Sequence, residues 1–144
     1  MKKLQEKILK IGVDEITIAD TVGYANPNQV RMLFKRLINL TGNLEIFAHF
    51  HDTRGLGIVN VLTAFDLGIK KFDSSLLGLG GCPFAPGASG NVATEDLIYL
   101  FNSMKVSTGI KLEDLIILCK NISNFFPNEV VNGRILSAGI PKNY

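Results

Sequence analysis

The sequence predicts an α/β fold in which about three parallel strands are flanked by helices. Three short β-prone runs alternate with longer stretches whose apolar residues recur at helical spacing. Polar residues gather where each of these runs ends, which is where parallel sheets place functional side chains. Because parallel strands need long crossover connections, the order α-β-α-β-α-β-α-α indicates one parallel sheet.

The strands and the helix before them come first in the chain. The predicted strands span residues 15–19, 44–50 and 71–76. A helix with Leu4, Ile8 and Ile11 on one side precedes the first strand and ends at Gly12.

The helix between the first two strands has both ends marked. It begins at Asn26-Pro27, a capping residue followed by proline in the first turn, and ends before Gly42. The remaining helices are predicted over about residues 56–67, 94–105 and 112–124. The tail, residues 126–144, is predicted to be irregular.

The length of the chain limits the size of the sheet. The chain has 144 residues, whereas a complete (β/α)₈ barrel typically needs about 250 and rarely fewer than about 200. It can therefore hold only part of a barrel, and the same length permits a small open-sheet domain. With 47% hydrophobic and 19% charged residues, we expect a single domain over residues 1–144.

Charge and cysteine content exclude several classes of function. The net charge of +2 comes without any block of like charges, so a nucleic-acid partner is not expected. The N-terminus lacks the features of a secretory signal, and no apolar run approaches the ~18 to 20 residues that span a bilayer. Two cysteines form no disulfide framework, which predicts a cytoplasmic location.

The second strand ends in a His-x-His pattern. Because residues two apart in a strand face the same side, His49 and His51 present two imidazoles about 6 to 7 Å apart, within reach of one cation. The alternative is that both only pack and hydrogen-bond near the sheet end. Asp20, which ends the first strand, favours the metal site.

A glycine-rich loop follows the third strand. Residues 78–91 contain five glycines and two prolines, a composition typical of a mobile loop that approaches a ligand by its backbone. It could act as a lid. A phosphate-binding loop is not favoured, because no Gly-Lys-Ser/Thr and no Gly-x-Gly-x-x-Gly opens a helix.

The two cysteines have different surroundings. Cys82, between Gly81 and Pro83, is predicted to be exposed and able to act as a general acid or nucleophile, although it could equally be an inert loop residue. Cys119 lies on the apolar stripe of a helix and is predicted to be buried.

Other polar residues near the strand ends have structural alternatives. Asp52 and Thr53 are predicted to cap the helix that follows them. Asp73 fits either a polar network at the site or a turn, and Asn91 fits either the site or a cap near Thr94.

Two segments resemble a known enzyme family. HFHDTRG (49–55) and DSSLLGLGGCPFAPGASGNVATEDL (73–97) closely resemble the second half of hydroxymethylglutaryl-CoA lyases. Residues 20–23, followed by Asn26-Pro27, are similar to the preceding strand end of that family. The His-x-His element is shared with related aldolases and with isopropylmalate or homocitrate synthases, whereas the Gly-Gly-Cys-Pro loop is specific to the lyases.

The resemblance implies a fold and a metal site. The chain would be the C-terminal part of a TIM (β/α)₈ barrel. His49, His51 and Asn91 would bind a divalent metal, Mg²⁺ or Mn²⁺, and His49 would also transfer a proton.

The resemblance also implies a reaction. The substrate would be 3-hydroxy-3-methylglutaryl-CoA, cleaved between C2 and C3 to acetoacetate and acetyl-CoA, as in leucine degradation and ketone body metabolism. Cys82 would protonate the acetyl-CoA carbanion, and Asp20 would support proton transfer. Substrate contacts would come from Thr21, Gly80 and Gly81.

Part of the family's site has no counterpart in this sequence. The arginine–aspartate pair of the first barrel strand is absent, as are glutamate and tyrosine from other early strands. We therefore expect a chain that is inactive alone and that needs an N-terminal barrel half or a homo-oligomer. A non-catalytic remnant or oligomerising half-barrel, and a lyase for another hydroxy-acyl substrate, are the alternatives.

Overall fold

The computed structural model describes residues 7, 11–42, 44–81 and 90–142. Three strands, β1 (Glu15–Asp20), β2 (Glu45–Phe50) and β3 (Lys71–Asp73), form one parallel sheet in the order β1-β2-β3. The predicted α/β architecture and the three strands are confirmed.

Five helices are described around this sheet. They are α1 (Pro27–Thr41), α2 (Gly57–Asp66), α3 (Thr94–Ser103), α4 (Leu112–Ser123) and α5 (Arg134–Ala138). The helix predicted before β1 lies mostly outside the described residues, which include only Lys7 and Ile11 of it.

The start of α1 follows the sequence prediction. Asn26 accepts hydrogen bonds from the backbone N–H groups of Asn28 and Gln29, both at 3.1 Å, and the Gln29 side chain accepts from the Asn26 N–H at 3.0 Å. This reciprocal capping box, with Pro27 in the first turn, satisfies donors that a helix otherwise leaves free.

The third strand is shorter than predicted. It ends at Asp73, and Ser75 makes only an isolated bridge to Ala93. The chain then turns through a 3₁₀ helix, Leu76–Gly78, in which Leu77 adopts φ 62° and is fully buried. Because the ladder with β2 stops at Asp73 and Leu76 already belongs to the 3₁₀ helix, the predicted extension to residue 76 is wrong.

The tail is not irregular throughout, because it contains α5. The Asp96 carboxylate accepts hydrogen bonds from the backbone N–H groups of Arg134, at 2.9 Å, and Ile135, at 2.8 Å. Ile135 is buried at 6% exposure. The cap comes from a residue 38 positions away, so no local signal marks this helix.

Helices cover one face of the sheet. Ile18, Ile46, Phe72 and the buried Ala48 and Phe50 pack on this face against one core cluster, whose helical members include Val30, Phe34, Val61, Ala64, Leu97 and Phe101. A second cluster joins α3, α4 and α5 to the 3₁₀ turn, and its buried members are Leu77, Ile98, Leu112, Leu115, Ile116, Cys119 and Ile135. The predicted burial of Cys119 is confirmed.

The opposite face of the sheet is polar and has no helix over it among the described elements. Register pairs place Thr17, Phe47 and Lys71 side by side on this face. Lys71 forms an ion pair with Glu45, and its ammonium nitrogen lies 4.6 Å from the centre of the Phe47 ring. His49 continues the same face toward the carboxyl end of β2.

No helix within the described part of the chain is both long and apolar enough to cross a membrane.

The stability of the sheet should depend on Phe34, which is 1% exposed and contacts Phe50 with 6.2 Å between ring centres. We expect Phe34→Ala to lower the free energy of unfolding by about 3 to 5 kcal/mol, because it removes a buried ring and leaves a cavity. Urea unfolding followed by circular dichroism measures this. Phe125→Ala is the control, since Phe125 is 79% exposed; equal losses in the two variants would contradict the assigned core.

Candidate active site

The parallel register brings polar side chains from distant segments to one edge of the sheet. Ala19 at the end of β1 pairs with His49, and His49 pairs with Asp73 at the end of β3. One step further along, His51 forms an antiparallel bridge with Asn91. His49, His51, Asp73 and Asn91, which lie on separate segments of the sequence, therefore meet at the carboxyl edge.

The two histidine rings are neighbours. Their centres are 5.1 Å apart and the ring planes meet at 72°, an edge-to-face arrangement. Partial burial lowers the pKa of His49 below its ordinary 6.5, and the nearby His51 lowers it further. A lowered pKa favours the neutral imidazole, which is the form that can bind a metal ion.

The orientation of His51 is fixed by a backbone carbonyl. Its Nδ1 lies 3.0 Å from the main-chain oxygen of Asp20, and the residue is 6% exposed. A carbonyl only accepts hydrogen bonds, so Nδ1 must carry the proton and donate it. In this tautomer of the neutral ring Nε2 carries the lone pair, which is the arrangement commonly found in metal-binding histidines.

Asp20 has both carboxylate oxygens engaged by the loop that follows β1. Oδ1 accepts from the Tyr24 N–H and Oδ2 accepts from the Ala25 N–H, both at 3.0 Å. The side chain therefore shapes the turn between β1 and α1, while its own carbonyl positions His51. Thr21, at the start of this turn, is exposed.

Asn91 belongs to the site and does not cap α3. Its Nδ2 donates to the Leu79 carbonyl at 2.8 Å, and its backbone N–H donates to Gly78 at 3.1 Å. Its side chain is close enough to His49 to raise the pKa of that ring, against the larger lowering caused by burial. Helix α3 begins after Ala93 without a side-chain cap, so the capping interpretation is wrong.

The glycines at the base of the loop are in close contact with the site. Gly80 has φ 97°, and a Cβ at this position would lie 3.1 Å from Asn91 Nδ2. Its carbonyl accepts from the Gly90 N–H at 3.1 Å, which closes the base of the loop. Gly81 is exposed. Cys82, in residues 82–89, lies outside the described residues.

The predicted capping role of Asp52 is confirmed. Its Oδ1 accepts from the Gly57 N–H at 2.7 Å in the first turn of α2. Thr53 packs against Gly23, where a Cβ would lie 3.2 Å from its hydroxyl oxygen, and its predicted capping role stays a prediction. Asp73 is exposed beside His49 and acts electrostatically on it, which favours the polar-network interpretation.

Two buried polar residues near the site were missed by sequence reasoning. Asn60 and Glu95 are each 0% exposed, and each lies on the buried stripe of its helix. A polar residue at a position where the helical period requires an apolar one is the signal that could have identified them.

Glu95 ties the 3₁₀ turn to the tail. Its Oε2 accepts from the Leu77 N–H at 3.1 Å, and Oε1 has no hydrogen-bond partner. A Cβ on Gly133 would lie 2.1 Å from Oε1, so only glycine fits there. Burial raises the pKa of Glu95 above its ordinary 4.5, which favours a neutral carboxylic acid.

The described residues contain no complete metal site. Within residues 7, 11–42, 44–81 and 90–142, no three side chains of His, Cys, Asp or Glu cluster closely enough to hold an ion. His49 and His51, with the amide oxygen of Asn91, give two nitrogen donors and one oxygen donor. A carboxylate ligand would have to come from elsewhere.

A family model described as HMGL-like matches residues 1–122, which is most of the chain. The chain belongs to the HMGL-like family. The resemblance inferred from the His-x-His strand and the cysteine loop is confirmed, and it covers both segments that suggested it.

Individual HMGL-like relatives are lyases of CoA thioesters by name. The chain is 45% identical over 118 residues to hydroxymethylglutaryl-CoA lyase YngG of Bacillus subtilis, covering 82% of this chain and 40% of that protein. It is 44% identical over 116 residues to (R)-citramalyl-CoA lyase of Chloroflexus aurantiacus, covering 81% and 37%.

A solved structure shows the same fold. The HMG-CoA lyase from Acinetobacter baumannii, in complex with coenzyme A and 3-methylmalate, superposes with a TM-score of 0.92 at 41% identity, covering 99% of this chain and 47% of that one. The structural neighbours are TIM barrels, which confirms the predicted fold class. This HMGL-like chain spans less than half the length of the relatives it matches.

The buried carboxyl of Glu95 should make stability depend on pH. The unfolded chain loses this proton near pH 4.5, whereas the folded chain keeps it to higher pH. The stabilisation is thus fully present below pH 4.5 and is lost as pH rises toward the raised pKa of the folded state. We expect Glu95→Gln to remove this loss in a urea unfolding series that starts at pH 4.5 and extends to higher pH. Glu113→Gln, an exposed change on α4, is the control; equal slopes in wild type and Glu95→Gln would contradict the assignment.

Proposed function

We propose that this chain is the C-terminal half of a metal-dependent lyase that cleaves 3-hydroxy-3-methylglutaryl-CoA to acetoacetate and acetyl-CoA. The supporting observation is that His49, His51 and Asn91 meet at the carboxyl edge of the sheet in a member of the HMGL-like family. Residues 1–144 would form one partial domain, and the remaining barrel strands would come from an N-terminal half.

The donor atoms present fit a divalent cation. Two imidazoles suit borderline metals and an amide oxygen suits hard ones, so the ligand types alone do not choose the ion. From the family resemblance we propose Mg²⁺ or Mn²⁺, held by His49, His51 and Asn91. His51 is oriented for this by the Asp20 carbonyl, and Asn91 by the Leu79 carbonyl. A bound cation would stabilise the negative charge that develops on the substrate oxygen.

Proton transfers would be performed by residues of this chain. His49, whose lowered pKa favours the neutral ring, would accept the proton of the tertiary hydroxyl as the C2–C3 bond breaks. The bonding electrons then pass to C2, and the Cys82 thiol would donate a proton there to give acetyl-CoA. Asp20, held by two backbone N–H groups, would support the transfer.

Substrate contacts would come from the two loops that border the site. Gly80 and Gly81 let the backbone approach the acyl chain closely, and the contact between Gly80 and the Asn91 amide places this approach beside the proposed metal. Exposed Thr21 would contribute from the turn after β1. From the family resemblance we also propose a role in leucine degradation and ketone body metabolism, and from the cysteine content a cytoplasmic location.

A second candidate substrate is favoured by one relative. The 44% identity to a citramalyl-CoA lyase is close to the 45% identity to a hydroxymethylglutaryl-CoA lyase. Another hydroxy-acyl-CoA, cleaved by the same chemistry, is therefore the alternative. Assays with hydroxymethylglutaryl-CoA and with citramalyl-CoA distinguish the two candidate substrates, because the preferred one should give the higher kcat/KM.

The proposed function predicts activity only when the barrel is complete. We expect no acetoacetate from hydroxymethylglutaryl-CoA and Mn²⁺ with the chain alone, and release of acetoacetate when a separately expressed N-terminal barrel half is added. Cys82→Ala should abolish this activity because it removes the proposed proton donor. Cys119→Ala, which changes the buried cysteine of α4, should retain it. A folded mixture without activity on either thioester would favour a non-catalytic remnant or oligomerising half-barrel.

The metal ligands can be tested without turnover. We expect the His49→Ala/His51→Ala double variant to lose at least about tenfold in Mn²⁺ affinity, measured by calorimetric titration of the folded chain. The control is Glu113→Ala/Asp114→Ala, which removes two exposed carboxylates from α4. Unchanged Mn²⁺ affinity in the histidine variant would refute the ligand assignment.

A further inference from the structure

Asn60 is a fully buried amide in the middle of α2. It is 0% exposed, and its buried helical neighbours are Val61, Thr63 and Ala64. Its Oδ1 has no hydrogen-bond partner. Burying an amide with half of its polar atoms unsatisfied destabilises a core, so packing alone would favour an apolar side chain of similar size.

The amide nitrogen of Asn60 makes a long-range hydrogen bond. Nδ2 donates to the carbonyl of Ala25 at 2.8 Å, across 35 positions of sequence. Ala25 lies in the loop between β1 and α1, immediately before the capping residue Asn26. The bond therefore attaches this loop to the core of a different helix.

Ala25 is held from both sides by side chains. Its carbonyl accepts from Asn60, and its N–H donates to Asp20 Oδ2 at 3.0 Å. The Asp20 main-chain oxygen in turn accepts from His51 Nδ1 at 3.0 Å. An unbroken series of hydrogen bonds thus runs from Asn60 through Ala25 and Asp20 to the imidazole of His51.

We propose that Asn60 is a positioning residue that fixes Asp20 and the ring of His51 through Ala25. Without the Asn60 bond, the Ala25 carbonyl has no side chain to hold it, and the loop that grips the Asp20 carboxylate is freed at one end. The catalytic significance of this role rests on the proposed function, whereas the structural coupling does not.

Variants that keep the volume of Asn60 separate positioning from packing. Asn60→Leu and Asn60→Val are both apolar side chains of roughly the size of asparagine, and neither can donate a hydrogen bond to the Ala25 carbonyl. Thr63→Val is the matched control, because Thr63 is also buried on α2 but its hydroxyl bonds only within the helix, to the Val59 carbonyl at 2.8 Å.

The decisive measurement is amide hydrogen exchange of the full chain, combined with the ¹⁵N spectrum of His51. In both Asn60 variants we expect the Tyr24 and Ala25 amides to exchange about tenfold faster, the loss expected for one buried hydrogen bond. We also expect the His51 ring to shift from one tautomer to a mixture. Core amides of β2, and all of these signals in Thr63→Val, should stay unchanged.

Binding and turnover then connect the coupling to the site. Mn²⁺ affinity should fall in Asn60→Leu and not in Thr63→Val, and in the reconstituted lyase kcat should fall with KM little changed. If Tyr24 and Ala25 exchange as slowly in both Asn60 variants as in Thr63→Val, with a single His51 tautomer, the inference is overturned. Failure of the wild-type lyase assay with the exchange result intact would count against the proposed function alone.

Discussion

The parallel register of the three strands is the constraint on which the rest of the structure depends. It aligns Ala19, His49 and Asp73 across the sheet, so that the strands end at one edge and on one face. The helices return to the other face and bury Ala48 and Phe50 there. Because successive strand residues alternate between faces, a slip of one position would turn His49 into the core and Phe50 outward. The core and the site are thus specified by the same pairing.

The sequence predicted the features that are marked locally. The capping residues of α1 and the spacing of His49 and His51 act within a few residues, and the structure has the capping box and the neighbouring rings that they predict. The family resemblance added Asn91, which spacing alone left open between a ligand and a helix cap. Its place beside His51 follows from a bridge between segments 40 residues apart, which no local pattern encodes.

The features that sequence reasoning missed are long-range polar contacts. Helix α5 depends on a carboxylate from α3, and the turn that shortens β3 contains a left-handed Leu77 whose N–H is held by Glu95. Asn60 and Glu95 resemble each other in this respect. Each is buried on the core-facing side of its helix and hydrogen-bonds a backbone group of a loop or turn beside the site. These segments are therefore held by polar side chains of a type that is usually exposed.

The uncovered face of the sheet restricts which kind of surface can pack on it. Glu45 and Lys71 are about half exposed there, with side-chain exposures of 56% and 44%, and in water such a pair contributes only about 0 to 1 kcal/mol. A protein layer packed on this face would remove water from both charges. A purely apolar surface would provide no hydrogen bonds to compensate for that desolvation. A surface that brings its own hydrogen-bonding groups is therefore favoured on this face over an apolar one.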